Sequence, residues 1–520
     1  MSVLELAESD AKRALISVSD KTGLLEFSRE LVDLGYGIVS TGGTYKELHE
    51  NGIPVERVSD VTGFPEILGG RVKTLHPTIH AGILAKDDDE HQKELKQHGI
   101  GRFNMVVVNL YPFEKAAAEM AGESELIENI DIGGPTLIRA AAKNHGSVAV
   151  IIEPAQYKPV IAELREKGVL SQETRKRLAW EAFTRTAEYD AIISNTLKDA
   201  LGVDMGYPER LIIPFRKVQD LRYGENPYQK AAFYRDIFLA EPCIANARKL
   251  KGKELSYNNI LDMNATLEMV KDFEEPTAAI VKHMNPSGIA SAGSISEAFA
   301  RALGADPLSA YGGIVALNRE LDIDTAKAMR KIFLDSIIAP SFHAGAMPLL
   351  ENKKVMLLET GSLEGVKKPA MDMKRVVGGA LVQSRDLSKL DPSKLKVVSK
   401  RAPTPGEMED LLFAWKVVKH VTSNAIVLAA GKSAVGVGAG QMSRVGSVEI
   451  AVKKAGKRCA GAVMASDAFF PFRDGMDAAG KAGVTAVIHP GGSIRDPEVL
   501  DAANEYGMAV VLTGMRCLRH

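Results

Sequence analysis

Cysteine is scarce in this sequence, and long hydrophobic runs are absent from it. The three cysteines, Cys243, Cys459 and Cys517, are too far apart for a Cys-x-x-Cys metal site and too few for a disulfide framework. No apolar run reaches the roughly 18–20 residues of a membrane span. Residues 1–15 carry acidic side chains and lack the apolar centre of a signal peptide. These absences favour a reducing compartment and predict a cytoplasmic protein.

Neither sign of charge is in excess, because 65 Lys and Arg residues face 66 Asp and Glu residues. This balance predicts no bulk attraction to nucleic acid or to an anionic membrane. A pocket for a phosphorylated metabolite remains compatible with it, since such a pocket needs only a few charges. The 520 residues exceed one hydrophobic core, so we expect two or more domains.

Familiar nucleotide and metal motifs are incomplete. In the GVGAGQ segment, Gln441 stands where a dinucleotide loop needs its third glycine, and Ile426 stands where a phosphate loop ending in GKS needs its first. His76 and His80 lie four residues apart, but an intervening proline and the lack of a third ligand nearby disfavour a metal site. The sequence therefore argues against a dinucleotide-dependent oxidoreductase and predicts no bound metal.

The amino-terminal third alternates short apolar segments with amphipathic ones. Apolar residues recur at helical spacing over 24–34, and the apolar segments 14–18, 38–39, 105–108 and 148–152 predict buried strands. This alternation predicts a parallel sheet with helices on both faces, whose ligands bind beyond the carboxyl ends of the strands. The polar segments SVSDKTG, STGGT and NLYPF follow predicted strands and should lie at that edge.

A stretch rich in glycine and proline near 201–215 predicts a domain boundary. The remaining part shows the same alternation of predicted strands and helices, with longer loops. We expect two α/β layers in it because about 300 residues exceed a usual hydrophobic core. Asp496 and Pro497 are predicted to form an N-cap and first-turn pair. The predicted strands are 278–281, 425–430, 484–488 and 508–512, and the predicted helix is 408–420.

Two segments of the amino-terminal part carry candidate anion ligands. Arg71 and Lys73 lie between glycines and a proline, where a phosphate or carboxylate site and plain solvated cations are equally compatible with the pattern. Ser17, Ser19 and Lys21 lie at a predicted helix start, where backbone N–H groups bind anions, although an ordinary N-cap is the simpler interpretation.

Two further segments carry candidate catalytic groups. Asp131 precedes two glycines and a proline that open a helix, so it is either functional or a capping carboxylate, and Lys143 lies near the end of that helix. Lys282 and His283 directly follow a predicted strand, where catalytic residues of α/β sheets tend to lie. Neighbouring side chains of an extended chain point oppositely, so we expect an irregular loop over 283–288. A buried core histidine is the alternative.

At these residues the chain resembles a known family, the bifunctional purine biosynthesis proteins. These proteins combine phosphoribosylaminoimidazolecarboxamide (AICAR) formyltransferase with IMP cyclohydrolase. SVSDKTGL, GGRVKTLHP, NLYPF, DIGG and AAAKNH resemble the cyclohydrolase half; LRYGENPYQ, LSYNNILD, VKHMNPSG, SNAIVLA, GAGQMSR and SDAFFPFRDG resemble the formyltransferase half. The resemblance covers nearly the whole chain in the family's order, and it disfavours a sensing protein without catalysis.

The resemblance implies an α/β fold with two domains. Residues 1–203 would form a Rossmann-like, methylglyoxal-synthase-like parallel sheet with cyclohydrolase activity. Residues 204–520 would form a tandem cytidine-deaminase-like α/β/α domain with formyltransferase activity and without zinc, and this sequence has neither His-x-Glu nor Pro-Cys-x-x-Cys.

The resemblance also implies roles for individual residues. In formyl transfer from 10-formyltetrahydrofolate to AICAR, the catalytic residues would be Lys282, His283, Asn424 and Asp474, with Arg222, Tyr223, Tyr311, Arg444 and Arg516 binding substrates. In the closure of the product FAICAR to IMP, the catalytic residues would be Lys73, Tyr111, Asp131 and Lys143, with Ser17, Ser19, Lys21, Thr41, Gly43, Arg71 and Thr74 binding substrate.

Two positions depart from the family pattern: Tyr228 replaces its usual histidine, and Tyr311 replaces a phenylalanine while keeping an aromatic face. The implied partners are AICAR, FAICAR and a reduced folate, without nucleic acid or membrane, and the protein would be a homodimer. The resemblance requires no metal and leaves a monovalent cation open.

Overall fold

The computed structural model describes residues 12–118, 122–200, 206–239, 241–363 and 369–520. The chain forms two compact units, Met1–Pro214 and Phe215–His520. The boundary expected after residue 203 lies outside the described residues.

The first unit contains a five-stranded sheet of order β3-β2-β1-β4-β5. Every neighbouring pair in it is parallel, which confirms the predicted parallel sheet. The strands are rich in buried Val, Ile and Leu, as a sheet covered by helices requires. Their bounds are β1 Lys12–Val18, β2 Tyr36–Ser40, β3 Glu56–Arg57, β4 Met105–Asn109 and β5 Ala149–Ile151.

The helices of this unit follow the predicted alternation. The first buries Leu24, Phe27 and Leu31 and is followed by Gly35 with φ +82°, the left-handed position that ends many helices. The turn predicted over STGGT is shorter than expected, because a helix already begins at its third residue, Gly42. The helices are α1 Leu24–Asp33, α2 Gly42–Glu50, α3 Val58–Thr62, α4 Pro77–Leu84, α5 Asp89–Gln97, α6 Phe113–Ala118, α7 Glu123–Glu128, α8 Gly133–Lys143, α9 Tyr157–Lys167 and α10 Gln172–Ala200.

The second unit contains two six-stranded mixed sheets, of order β10-β9-β11-β12-β13-β8 and β18-β17-β19-β20-β21-β16. The strands are β6 Phe215–Leu221, β7 Ala231–Asp236, β8 Arg248–Lys251, β9 Thr277–Lys282, β10 Asn285–Ser291, β11 Ile314–Leu317, β12 Ser336–Ala339, β13 Met356–Glu359, β14 Met371–Val376, β15 Gly379–Ser384, β16 Lys396–Val397, β17 Ile426–Ala429, β18 Ala434–Gly438, β19 Val463–Ser466, β20 Ala486–His489 and β21 Ala509–Leu512. Strands β6 and β7, and β14 and β15, form separate two-stranded sheets.

The two large sheets repeat one topology. In each, the first three strands of the order are antiparallel, the middle ones are parallel, and the last strand is antiparallel to its neighbour. The α/β class and the two layers expected for this part are thereby confirmed.

The helices of the second unit cover the sheets on both sides. Residues of α11 and α16 share one buried cluster with strands of both sheets, so these two helices belong to the middle of the unit, and separate clusters bury the outer helices. The bounds are α11 Tyr257–Val270, α12 Ile295–Ala305, α13 Pro307–Ala310, α14 Ile323–Met329, α15 Met347–Leu350, α16 Pro405–Val418, α17 Arg444–Ala455, α18 Asp474–Lys481 and α19 Asp496–Glu505.

Two local predictions in this unit were wrong. The irregular loop expected over 283–288 is a two-residue turn, because Pro286 is accommodated in β10, at the edge of its sheet, where proline costs least. Asp496 is the first residue of α19, and the N-cap of this helix is Arg495. The Asp496 carboxylate instead accepts the Gly492 N–H at 2.6 Å.

Candidate active sites

The carboxyl edge of the parallel sheet joins two of the predicted segments through one side chain. Asn109 ends β4, and its Oδ1 accepts the Ser19 N–H at 2.6 Å and the Asp20 N–H at 2.9 Å. Its Nδ2 donates to the Asp20 carbonyl at 2.9 Å, and the Ser19 hydroxyl donates to the Leu110 carbonyl at 2.8 Å. These hydrogen bonds therefore join the SVSDKTG segment to the NLYPF segment. Ser17 lies in β1 beside Val108 of β4.

The start of α2 lies between two lysines. The Nζ of Lys73 lies so close to Gly42 that a Cβ built on this glycine would be 3.2 Å from it, and the Lys21 Nζ would be 3.7 Å from a Cβ on Gly43. The Thr41 hydroxyl donates to Glu66 at 2.5 Å, and the Gly42 N–H donates to the same carboxylate at 3.2 Å. These donors already hold a carboxylate, so the helix start can bind an oxyanion between two cations.

Asp131 lies at the same edge and is held by backbone donors. Its Oδ1 accepts the Gly134 N–H at 2.8 Å in the first turn of α8, whose N-cap is Ile132. Burial raises the pKa of Asp131, and the Gly134 and Tyr111 backbone N–H groups and the charge of Lys73 oppose that rise. A Cβ on Gly134 would lie 2.4 Å from the Asp131 carboxylate, so the second glycine of DIGG makes room for it.

Thr74 and the Tyr111 ring complete this cluster. Thr74 is buried, and its hydroxyl would lie 3.1 Å from a Cβ on Gly133. Tyr111 is 43% exposed, so its ring is available to a ligand. The structure thus brings together Lys73, Thr74, Tyr111 and Asp131 at the sheet edge.

Two other predicted residues of this unit lie on different segments. Lys143 ends α8, whose start carries Asp131, so about ten residues of helix, about 15 Å, separate the two residues. Arg71 forms an ion pair with Glu128, and both side chains are exposed.

The two histidines considered for a metal differ in their surroundings. The His76 Nδ1 accepts the Thr78 N–H at 3.2 Å at the start of α4. Burial lowers the pKa of His80. Over the described ranges of the chain, no group of three or more metal-ligating side chains occurs.

In the second unit, Lys282 and His283 lie at the tight turn between β9 and β10. His283 and Met284 form this turn with φ values of +54° and +61°. The His283 side chain is exposed, which rules out the core-histidine alternative. The Lys282 Nζ donates to the Tyr311 carbonyl at 3.1 Å, and the Tyr311 ring is 61% exposed. The turn therefore presents His283 outward, beside Lys282 and an aromatic face.

Asn285 connects this turn with the segment that contains Asn424. Its Nδ2 donates to the His283 carbonyl at 3.1 Å, and its Oδ1 accepts the Thr422 N–H at 2.9 Å. The Asn424 Nδ2 donates to the Gln441 carbonyl at 2.8 Å. These hydrogen bonds connect the turn after β9, which carries Lys282 and His283, with the segment before β17, which carries Asn424.

Arg444 is buried among polar side chains. The resemblance implied that it helps to hold the phosphate and carboxamide of AICAR, and it is only 6% exposed. Its Nη1 donates to Ser466 at 2.8 Å and to the buried Asp467, and its Nη2 donates to the Asn424 Oδ1 at 2.7 Å. These hydrogen bonds use three of the five guanidinium N–H groups. Arg444 is therefore hydrogen-bonded directly to Asn424.

The other predicted residues lie on exposed segments. Arg222 contacts Tyr223, with its guanidinium 4.9 Å from the ring centre, in the loop between β6 and β7. Tyr228 in the same loop is 84% exposed. Asp474 begins α18, and the Arg516 guanidinium lies 5.0 Å from the Phe469 ring centre.

Three residues that organise these sites were not among the predicted site residues. Asn109 and Asn285 lie within the quoted segments NLYPF and VKHMNPSG, and Asp262 lies within LSYNNILD, where it accepts both N–H groups of the His283–Met284 turn. A polar residue directly after a buried strand was the available signal for Asn109. No local signal identifies Asp262, because its partners are 21 and 22 residues away.

Comparison with known proteins identifies the family of this chain. The model of the AICARFT/IMPCHase bienzyme family matches residues 141–454, and that of the MGS-like domain matches residues 23–136. The chain therefore belongs to the AICARFT/IMPCHase bienzyme family, a class of enzyme with two activities on one chain, as its motifs predicted.

Individual relatives extend the match over the whole chain. The bifunctional purine biosynthesis protein PurH of Acetivibrio thermocellus is 52% identical over 513 residues, 98% of this chain and 100% of that protein. The proteins of the same name from Halalkalibacterium halodurans and Persephonella marina are also 52% identical, over 511 and 516 residues, with the same coverage. The crystal structure of ForH is 34% identical, covers 36% of this chain and 100% of its own, and has a TM-score of 0.33.

No helix in the described part of the chain is both long and apolar enough to cross a bilayer.

Proposed function

We propose that this chain performs the last two steps of IMP synthesis, with one step in each unit. The second unit transfers a formyl group from 10-formyltetrahydrofolate to AICAR, and the first unit closes the product FAICAR to IMP with loss of water. The observation that supports this most is that the two motif sets lie in separate units. Lys73, Tyr111 and Asp131 belong to the first unit, and Lys282 and His283 belong to the second.

For ring closure, the start of α2 binds the phosphate beside Lys21, with Thr41 and Gly43 lining it. The reaction is intramolecular, so positioning alone can supply up to about 7–11 kcal/mol of the barrier. Asp131 exchanges protons with the reacting amide and formyl groups, because its burial keeps a carboxyl group easily protonated. Lys73 and Tyr111 stabilise negative charge on the formyl oxygen as the ring forms.

For formyl transfer, the acceptor is an aromatic amine conjugated to a carboxamide and is a weak nucleophile. His283 takes the amine proton as the new C–N bond forms, and the bond between the formyl carbon and the folate nitrogen breaks, with a proton delivered to that nitrogen. Lys282 stabilises the charged intermediate, and Asn424 orients the formyl oxygen.

Substrate binding in this half uses exposed groups. Arg222 with Tyr223 and Arg516 bind the phosphate and carboxamide of AICAR, Tyr311 stacks on a substrate ring, and Asp474 lies near the folate. Arg444 acts through Asn424. We further propose a cytoplasmic homodimer whose formyl-transfer sites need both subunits, so dilution should reduce that activity before cyclisation.

The test is a pair of assays on the purified chain. Formyl transfer is followed with AICAR and 10-formyltetrahydrofolate, and cyclisation is followed with added FAICAR. Both activities are expected. A chain that binds AICAR and FAICAR but converts neither would contradict the proposal, and so would a fragment of residues 1–214 that folds and leaves FAICAR unchanged.

A further inference from the structure

The turn that carries His283 has a conformation that its own residues disfavour. Both His283 and Met284 have positive φ, at +54° and +61°. A two-residue hairpin turn of this kind normally has Asn and Gly, because a Cβ is unfavourable in the left-handed region. Something outside the turn must therefore hold it.

Asp262 of α11 supplies that support. Its Oδ2 accepts the His283 N–H at 3.1 Å, and its Oδ1 accepts the Met284 N–H at 2.6 Å. One carboxylate thus fixes two consecutive peptide groups, and these include the backbone from which the His283 side chain projects. One helical turn earlier, Asn258 donates to the Glu225 carbonyl at 3.3 Å, in the loop of Arg222 and Tyr223.

The second sheet repeats the same arrangement without the histidine. Asp410 of α16 accepts the Gly431 N–H at 2.8 Å and the Lys432 N–H at 2.6 Å, and these turn residues have φ of +61° and +55°. The Lys432 Nζ is paired with Glu275 at 2.9 Å and Glu409 at 3.2 Å. Asp410 therefore holds a turn whose Lys432 side chain is already paired with two carboxylates.

We infer that Asp262 is a positioning residue for formyl transfer, which fixes the direction of His283 by locking the backbone of its turn. This inference rests on the proposed role of His283. Asp262 contacts backbone groups, so its removal should affect the rate of the bound complex more than the binding of AICAR.

The test compares Asp262→Ala and Asp262→Asn with Asp410→Ala, which removes the same pair of hydrogen bonds from the other turn. We expect Asp262→Ala to lower the kcat of formyl transfer about tenfold to a hundredfold, the range that small misplacements of reacting groups produce. The KM for AICAR should stay within about twofold, and Asp262→Asn should fall between, because its amide oxygen can still accept one N–H. Asp410→Ala should keep kcat within about twofold of wild type.

Three results would overturn the inference: a normal kcat in folded Asp262→Ala, an equal loss in Asp410→Ala, or a loss confined to KM. If Asp262→Ala does not fold, Asp262→Asn decides, and a wild-type kcat there contradicts the inference. His283→Ala is measured in parallel: an active His283→Ala removes the proposed role of His283, whereas an inactive one beside an unimpaired Asp262→Ala removes only the role of Asp262.

Discussion

The contacts of Asn109 predict that a single side chain controls ring closure without touching the reacting atoms. Asn109→Ala removes the acceptor of the Ser19 and Asp20 N–H groups and the donor to the Asp20 carbonyl. The Ser19 hydroxyl keeps the Leu110 carbonyl as an alternative acceptor, so we count three hydrogen bonds as lost.

The magnitude follows from the exposure of these groups. A hydrogen bond contributes about 0.5–1.5 kcal/mol net, and the lower half of that range applies here because water can replace the lost partners. Three bonds then stabilise the 19–21 loop by about 2 kcal/mol, which corresponds to about thirtyfold in kcat/KM for FAICAR. Formyl transfer should be unchanged because it uses the other unit.

The assay is the cyclisation of added FAICAR, followed by absorbance. The matched control is Asn104→Ala: Asn104 joins the same two strands at the opposite edge of the sheet, where its Oδ1 accepts the Arg13 N–H at 2.9 Å. This control should stay within about twofold of wild type, because its single lost bond lies away from the carboxyl edge. Wild-type cyclisation by folded Asn109→Ala, or an equal loss in Asn104→Ala, would refute the reasoning.

Three other predictions follow from the two sites. His283→Ala should lower formyl transfer by about a hundredfold or more, the usual contribution of a general base, with AICAR binding and cyclisation retained; near-normal formyl transfer would make His283 structural. Lys73→Ala should abolish cyclisation and spare formyl transfer, whereas Lys143→Ala should have a smaller effect because about 15 Å of helix separates it from Asp131; equal losses of cyclisation would contradict this placement. Burial lowers the pKa of His489 from 6.5 to about 4. Between these pH values the unfolded state binds more protons than the folded state, so the second unit should lose up to about 3 kcal/mol of stability as the pH falls from 6.5 to 4. His489→Asn should flatten that slope in urea unfolding followed by the fluorescence of the buried Trp415, and an unchanged slope would assign the loss to other groups.

The residues that the sequence located correctly are those whose signal is local. Leu24, Phe27 and Leu31 repeat at helical spacing and form the buried face of α1, and the apolar runs at 105–108 and 278–281 are strands. Side chains directly after parallel strands share one edge by geometry, so Lys21 and Tyr111 could be assigned to one region before any contact was known. The order of the motifs identified the family.

Local patterns failed where a neighbour distant in sequence decides the outcome. The carboxylate of Asp262 holds a turn that the residues His283 and Met284 would not adopt by themselves, so a loop was expected instead. Arg444 lies in a motif predicted to bind substrate, and nothing in that motif indicated that its side chain would be buried against Asp467.

The sequence by itself thus determined the α/β class, the two units' motif sets and the family, because periodicity and motif order are properties of the chain. Only the tertiary structure decided that Asn109 joins two strand ends, that Arg444 is buried against Asp467, and that Asp262 supports His283. These facts depend on which strands pair and in which register, and that pairing is fixed by packing between segments 20 to 100 residues apart, about which a local pattern carries no information.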